Sequence, residues 1–387
     1  MDFLMALDTE TLNQLLDTVD KFVTQRLRPL ESQVGADDAI PAEVIQEMRD
    51  LGLFGLTIPE NYGGLGLNMS EEVAVAQVFG HTSPAFRSVF GTNVGIGSQS
   101  LVIDGTEDQK QKYLPKMATG EIIGSFCLTE PEAGSDAASV RTTAKKQGDV
   151  YIINGTKRYI TNAPIANLFS VFARTDPTQA GSRGVSAFLV EADSKGIELS
   201  SPYRKMGQQG TYVCDVIFDD VEVPAENLIG GDEGVGFRTA MKVLDKGRLH
   251  ISAISIGIAE RLIEDSIKYA LERKQFGQAI AEFQLIQAML ADSQTDTYAA
   301  KCMVAETARR RDAGENVAAL AASCKLFATE MVGRVADRAV QIFGGAGYVE
   351  DYGIERFYRD VRLFRIYEGT SQIQQTVIAK DMIRRYS

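Results

Sequence analysis

The chain has 387 residues, a formal net charge of −12 and no Trp, which is long enough for two or three domains with substantial cores. An acidic balance without a Lys/Arg cluster excludes bulk binding to nucleic acid or to an anionic membrane surface. It leaves room for an anionic small molecule, which needs only a few local cations and helix N-termini. Four scattered cysteines (Cys127, Cys214, Cys302, Cys324) without a CxxC pair read as small core residues in a reducing compartment. The two histidines, His81 and His250, stand apart from each other and from every Cys, so no zinc site is expected. No G-x-S-x-G elbow is present either, and the chemistry is expected to rest on carboxylates plus a cofactor. Met1–Asp20 is acidic and amphipathic, with neither a signal nor a transit pattern, and nothing approaches a membrane span. The chain reads as soluble and cytoplasmic, or as a mature form already trimmed.

Up to about Lys116 the pattern is helical. Leu12, Leu15, Leu16, Val19, Phe22, Val23 and Leu27 form a stripe at helical period. Pro41 opens a second helix that Gly52 stops. Asn61–Gly66 is a loop, helical patterns resume near Glu71–Gly80 and Asn93–Ile103, and a last short helix is expected to end at Leu114-Pro115. Near Gly124 the period shifts toward two. Tyr151–Ile153, Asn154-Gly155 and Lys157–Ile160 predict a hairpin with a type I′ turn at Asn-Gly. Leu168–Ala173, Val185–Val190 and Tyr212–Val223 predict further strands. From about Gly231 long helices return, with apolar positions over Ile251–Leu271, from Leu285 onward, and at Leu320, Cys324, Phe327, Met331 and Val335. The fold expected is mainly α with an inserted β domain: a helical domain at 1–123, a β domain at 124–230 and a helical bundle at 231–387.

One turn concentrates the chemistry. Tyr367-Glu368-Gly369-Thr370-Ser371 precedes a final helix that Thr370 or Ser371 can cap. A carboxylate between an aromatic ring and a glycine, within an apolar run, is partly desolvated and thereby a stronger base. On the turn alone the plainer reading is a surface Glu that helps the helix start. Thr129–Asp136 offers hydroxyls and freed N–H groups that suit a phosphate or a polar ring edge, or else an ordinary polar loop. Tyr159 and Thr161 can flank a flat ligand, or simply pack at a strand end. No G-x-G-x-x-G or P-loop follows a strand, so a Rossmann nucleotide site is not expected.

Four separated blocks resemble the acyl-CoA dehydrogenase family: Phe126–Asp136, Arg158–Asn162, Arg273–Gly277, and Gln341–Tyr348 with Tyr367–Gln372. The similarity spans nearly the whole chain in one order, and it reverses the plain reading of Glu368. The resemblance implies a helical N-terminal domain, a β-barrel-like middle domain and a C-terminal four-helix bundle, with FAD as cofactor. It implies Glu368 as the catalytic base, because the family's alternative position falls here on Gly247, which cannot serve. Thr129 and Thr161 would bond the flavin, lined by Phe126, Leu128, Tyr159 and Ile160, and Gly134 and Ser135 would sit near the pyrophosphates. Arg273, Gln275, Phe276, Phe283, Gln284, Gln341 and Gly345 would hold the adenosine half across a subunit boundary, with Thr370 and Gln372 as further contacts. Ser135, Asp245, Arg248, Tyr367 and Gly369 would meet the substrate. The Gln208–Thr211 loop lacks the Arg that the family often carries, which leaves CoA contacts there open.

The activity implied is conversion of an acyl-CoA to a trans-2-enoyl-CoA, with Glu368 taking the α proton, flavin N5 the β hydride, and an electron-transfer flavoprotein the electrons. The assembly implied is at least a dimer, with a tetramer as the family pattern. Ala85-Phe86-Arg87-Ser88 resembles glutaryl-CoA dehydrogenases, in which the Arg binds a distal carboxylate; the plainer reading of Arg87 is a surface or interdomain ion pair. A flavin-free binding protein and an oxygen-using oxidase are the alternatives from other classes.

Overall fold

The computed structural model describes residues 6–179 and 181–387; of the N-terminal amphipathic stretch, Met1–Met5 lies outside the described residues. Helices α1 (Thr9–Lys21), α2 (Glu31–Asp37), α3 (Ala42–Asp50), α4 (Met69–Phe79), α5 (Pro84–Thr92), α6 (Ser98–Asp104) and α7 (Glu107–Ala118) form the N-terminal part. Local chemistry sets their ends. Asn68 with Glu71, and Thr106 with Gln109, are capping boxes at α4 and α7. The first stripe runs on through wide turns at Phe22–Leu27, keeping Val19, Val23 and Leu27 buried, before Pro29, which has no N–H to donate, tightens the next turn. Two sequence expectations need correction here. Helix α7 passes through Pro115 instead of stopping there. The stretch expected as one helix at Asn93–Ile103 is broken at Gly95, whose ψ of −112° is non-helical.

The middle part is one curled sheet of β1 (Gly124–Cys127), β2 (Thr143–Gln147), β3 (Val150–Thr161), β4 (Leu168–Arg174), β5 (Val185–Glu191), β6 (Ile197–Leu199) and β7 (Val213–Pro224). The order is β1-β4-β2-β3-β7-β6, with β5 antiparallel on β4. Asn154-Gly155 is not a turn: β3 runs straight through it, and the hairpin turn lies at Gly148-Asp149, between β2 and β3. At Gly155 the register against β7 slips, and a Cβ there would sit 2.5 Å from the Thr142 Oγ1. The glycine therefore marks a bulge and a close strand approach, a signal that sequence alone does not separate from a type I′ turn. A second slip, between Lys157 and Ile160, gives Tyr159 a φ of 59° and turns its ring outward.

The C-terminal part holds α8 (Gly236–Glu272), the small hairpin β8 (Lys274–Gln275) and β9 (Gln278–Ala279), α9 (Gln284–Asp312), α10 (Ala318–Phe343), α11 (Gly345–Tyr348), α12 (Ile354–Val361) and α13 (Ser371–Arg384). Helix α8 has 37 residues, about 55 Å of rise, and is buried on several faces from Gly247 to Ala259. It packs on α4, α9 and α10, and its N-terminal half borders the sheet. Helical N- and C-terminal domains thus flank a middle curled-sheet domain, sharing a core that runs from Val19 through Phe79, Leu249 and Met331. Among the described residues no helix is long and apolar enough to cross a membrane.

Candidate active site

A cavity of about 350 Å³ lies where α5, α8, the ends of β1 and β3 and the Tyr367–Gly369 turn meet. The turn is set by its own sequence. Thr370 caps α13 by accepting from the Ile373 N–H at 3.2 Å, while Ser371 instead donates to Glu330 at 2.6 Å. Glu368 and Gly369 both take positive φ, 53° and 90°. That shape is held from behind. The Lys325 Nζ donates to the Gly369 carbonyl at 2.6 Å, and the Gln374 amide donates to the carbonyls of Glu368 and Gly369 at 3.2 and 3.0 Å.

The Glu368 carboxylate points across the cavity at α8. A Cβ on Gly247 would lie 2.1 Å from Glu368 Oε2, so the bare glycine is the floor on which the carboxylate rests. Glu368 Oε2 has no hydrogen-bond partner. Burial pushes its carboxyl above the usual carboxylate range, opposed by Arg87, Lys325 and Arg248. A desolvated, unpartnered carboxylate aimed into a cavity is a base awaiting a proton. Tyr367 lines the same wall, its ring stacked on Phe364 at 5.8 Å, and burial pushes its phenol up.

Opposite, Phe126, Leu128, Thr129, Gly134, Ser135, Tyr159, Ile160 and Thr161 line the cavity together, as do Arg248 and Gly369. The loop after β1 is anchored by buried Lys157, which donates to the Leu128 carbonyl at 3.1 Å and to Glu130 at 2.7 Å. Glu130 in turn accepts from the N–H groups of Arg141 and Thr142. Thr129 and Thr161 line the cavity, and their hydroxyls have no hydrogen-bond partner among the described residues. Tyr159, 59 % exposed, stands at the mouth beside Tyr203, ring centroids 5.3 Å apart. Free hydroxyls, an aromatic rim and an apolar floor fit a flat polar ring system such as a flavin.

The remaining candidates fall elsewhere. Asp245 does not line the cavity; it accepts from Arg248 and fixes that side chain. Thr370 spends its hydroxyl on the helix cap, and Gln372 is exposed. Arg273, Gln275, Phe276, Gln284, Gln341 and Gly345 lie exposed around the β8–β9 hairpin and the end of α10, with Phe283 half-buried beside Phe276. A single chain does not bring them to the cavity.

Arg87 departs from its plainer reading. It is buried, lines the cavity and, among the described residues, forms no ion pair with a carboxylate. Its Nε donates to His250 Nε2 at 2.8 Å, and His250 Nδ1 faces Glu72 at 2.8 Å. Gly91 makes the room, since a Cβ there would lie 2.4 Å from the Arg87 Nε. An arginine donor requires a lone pair on Nε2, so His250 is neutral; burial and then the Arg87 charge lower its pKa to about 4. Burial would raise Glu72, yet Lys246 at 3.1 Å and His250 more than offset it and bring it to about 2. Sequence reasoning passed over Lys325, Gln374, Glu72 and His250. The legible signal was charge on an apolar face: Lys325 is flanked at helical spacing by Ala321, Ala328 and Val332.

Comparisons with known proteins cover the whole of this architecture. Residues 9–121, 125–221 and 234–383 match the N-terminal, middle and C-terminal domains of acyl-CoA dehydrogenase. The chain is 41 % identical over 353 residues to the CarC subunit of the caffeyl-CoA reductase–Etf complex of Acetobacterium woodii, covering 91 % of this chain and 93 % of that one. It is 40 % identical over 387 residues to the NADH acryloyl-CoA reductase of Anaerotignum propionicum, covering 100 % and 97 %. The structure of butyryl-CoA dehydrogenase from Megasphaera elsdenii superposes with a TM-score of 0.94 at 34 % identity, covering 99 % and 100 %. The chain belongs to the acyl-CoA dehydrogenase family, whose members are FAD-binding flavoprotein oxidoreductases.

Proposed function

We propose that the protein interconverts an acyl-CoA thioester and its trans-2-enoyl-CoA, acting as a dehydrogenase with Glu368 as the base that removes the α proton. The observation that carries this reading is the unpartnered, buried Glu368 oxygen facing the Thr129–Thr161 wall across one cavity. An α C–H beside a thioester is a weak acid, so a base must be desolvated and the developing enolate must be bonded at its oxygen. Glu368 supplies the first, and its own N–H, which has no acceptor among the described residues, supplies the second. Thr129 and Thr161 would hold the FAD ring, with Tyr159 over its edge and Ser135 near the phosphates; bound there, FAD supplies the hydride acceptor. Gly247 keeps Glu368 extended toward the substrate, while Arg248, fixed by Asp245, presents a cation beside it. Electrons would pass to or from an electron-transfer flavoprotein, in keeping with the Etf complex to which CarC belongs. The exposed residues around Phe276 would complete the FAD site of a second copy, making the protein at least a dimer.

One observation favours a second reading of the substrate, a dicarboxylyl-CoA such as glutaryl-CoA: Arg87 lines the cavity and, among the described residues, its hydrogen-bond partner is a neutral imidazole, with no carboxylate paired to it. The test of both is anaerobic flavin bleaching across glutaryl-, butyryl-, hexanoyl- and octanoyl-CoA, with the E368Q variant beside the wild type. Bleaching by none of them removes the dehydrogenase reading, and bleaching by the monoacyl thioesters alone removes the dicarboxylyl one.

A further inference from the structure

Lys325 is fully buried in α10, on a face it shares with Ala321, Ala328, Thr329 and Val332. A methionine would fill such a place without desolvating a charge, so the ammonium calls for a reason. Its Nζ donates one hydrogen bond, to the Gly369 carbonyl at 2.6 Å, and pairs directly with no carboxylate among the described residues. The acid on its own helix, Glu330, is already engaged by Arg365 at 3.3 Å and by Ser371 at 2.6 Å. The remaining counter-charge is Glu368, one residue before the carbonyl that Lys325 holds. We infer that Lys325 is a positioning residue for the base: its ammonium fixes the Glu368–Gly369 turn through the Gly369 carbonyl and stands as the counter-charge that keeps the Glu368 carboxylate ionised.

This rests on the reading of Glu368 as base. The charged groups facing Glu368 are Glu72 from α4, Arg87 from α5, Arg248 from α8 and Lys325 from α10; those facing Lys325 are Glu368, Arg248 and Glu330. Arg87 is bonded to His250 and Arg248 to Asp245. Only Lys325 among the three cations is bonded to the turn itself. Burial lowers its proton affinity to about 8, and the Glu368 charge resists that. The same burial raises Glu368, and the Lys325 charge resists that in turn. Each therefore favours the charged form of the other, and removal of the cation moves the base toward its protonated, idle form.

The experiment uses the FAD-loaded enzyme as K325M, K325Q and K325R, with kcat and KM measured against pH. The carboxyl infrared band, identified by its loss in E368Q, reports protonation without turnover. In K325M and K325Q the acid limb of kcat is expected to move up by about one pH unit, with kcat near neutrality down about tenfold and KM within about twofold. The infrared band should titrate with the same displacement. K325R keeps the charge and should keep the wild-type limb. A wild-type limb and band in the neutral variants overturns the inference, as does a K325R limb displaced as far as theirs; should K325M fail to fold, K325Q and K325R decide it alone. Full turnover in E368Q would instead remove the base assignment, a result the lysine variants cannot mimic.

Discussion

Glu368 and Phe276 share an unusual backbone, with φ of 53° and 51°, yet their surroundings are opposite. The Glu368 turn is closed in by the chain itself: Lys325 and Gln374 bond its carbonyls, and α8 lies under its carboxylate. Phe276 is 94 % exposed on a two-residue-strand hairpin, with Phe283 as its aromatic neighbour among the described residues. Left-handed backbone costs on the order of 1 kcal/mol for a residue with a Cβ, so each site needs a support. At Glu368 the support is internal. At Phe276 the support is only local, the pairing of Gln275 with Gln278 that closes the hairpin, and the ring itself is left exposed.

The sharpest test of the internal half is E368Q, expected to lower kcat by about 10³ to 10⁴ while leaving acyl-CoA and FAD binding in place; anaerobic flavin bleaching measures it, and a loss under tenfold contradicts the assignment. Next comes G247A. An alanine normally stabilises a helix interior by up to about 1 kcal/mol, but here its Cβ meets Glu368 Oε2 at 2.1 Å. Turnover should fall about a hundredfold with thermal stability equal or higher, and wild-type turnover would mean the carboxylate rests elsewhere. The external half is probed by F276D. An exposed substitution ordinarily shifts stability by under about 0.5 kcal/mol, so an about tenfold loss of FAD affinity with a smaller assembly mass, read by titration and sedimentation, would confirm that the hairpin serves another copy. Unchanged mass and affinity would erase the contrast between the two turns.

A separate effect lies in the pH dependence of folding. The unfolded chain protonates the His250 ring near pH 6.5, the folded one only near 4. The contribution is complete above 6.5 and lost as pH falls toward 4, up to about 3 kcal/mol in all. Denaturant unfolding of wild type against H250Q should show this as a slope present only in the wild type.

The sequence made part of this legible. The strands at Leu168–Ala173 and Val185–Val190 are legible as short apolar runs between turns, and both of their faces are buried. Glu368 is marked by neighbours that a turn and a cap require. Other features depend on distance in the chain. Asn154-Gly155 carries the chemistry of a hairpin turn, and only the approach of Thr142 shows that the glycine serves a bulge. Pro115 sits inside α7 because its neighbours pack on the sheet domain. The Arg87–His250–Glu72 chain joins residues 163 and 178 positions apart, and no spacing rule reaches that far. The candidates around Phe276 were named only through resemblance, since an exposed side chain on a short hairpin has no local signature of binding.

The left-handed residues have one more consequence. Of the seven non-glycine residues with positive φ among the described residues, Tyr159, Gln208 and Glu368 border the cavity, so conformational tension gathers where substrate and flavin would press. A glycine at 368 would relax the most consequential of these positions and should give a protein that melts higher and catalyses nothing. Stability and the proposed activity therefore pull in opposite directions at the Glu368 turn.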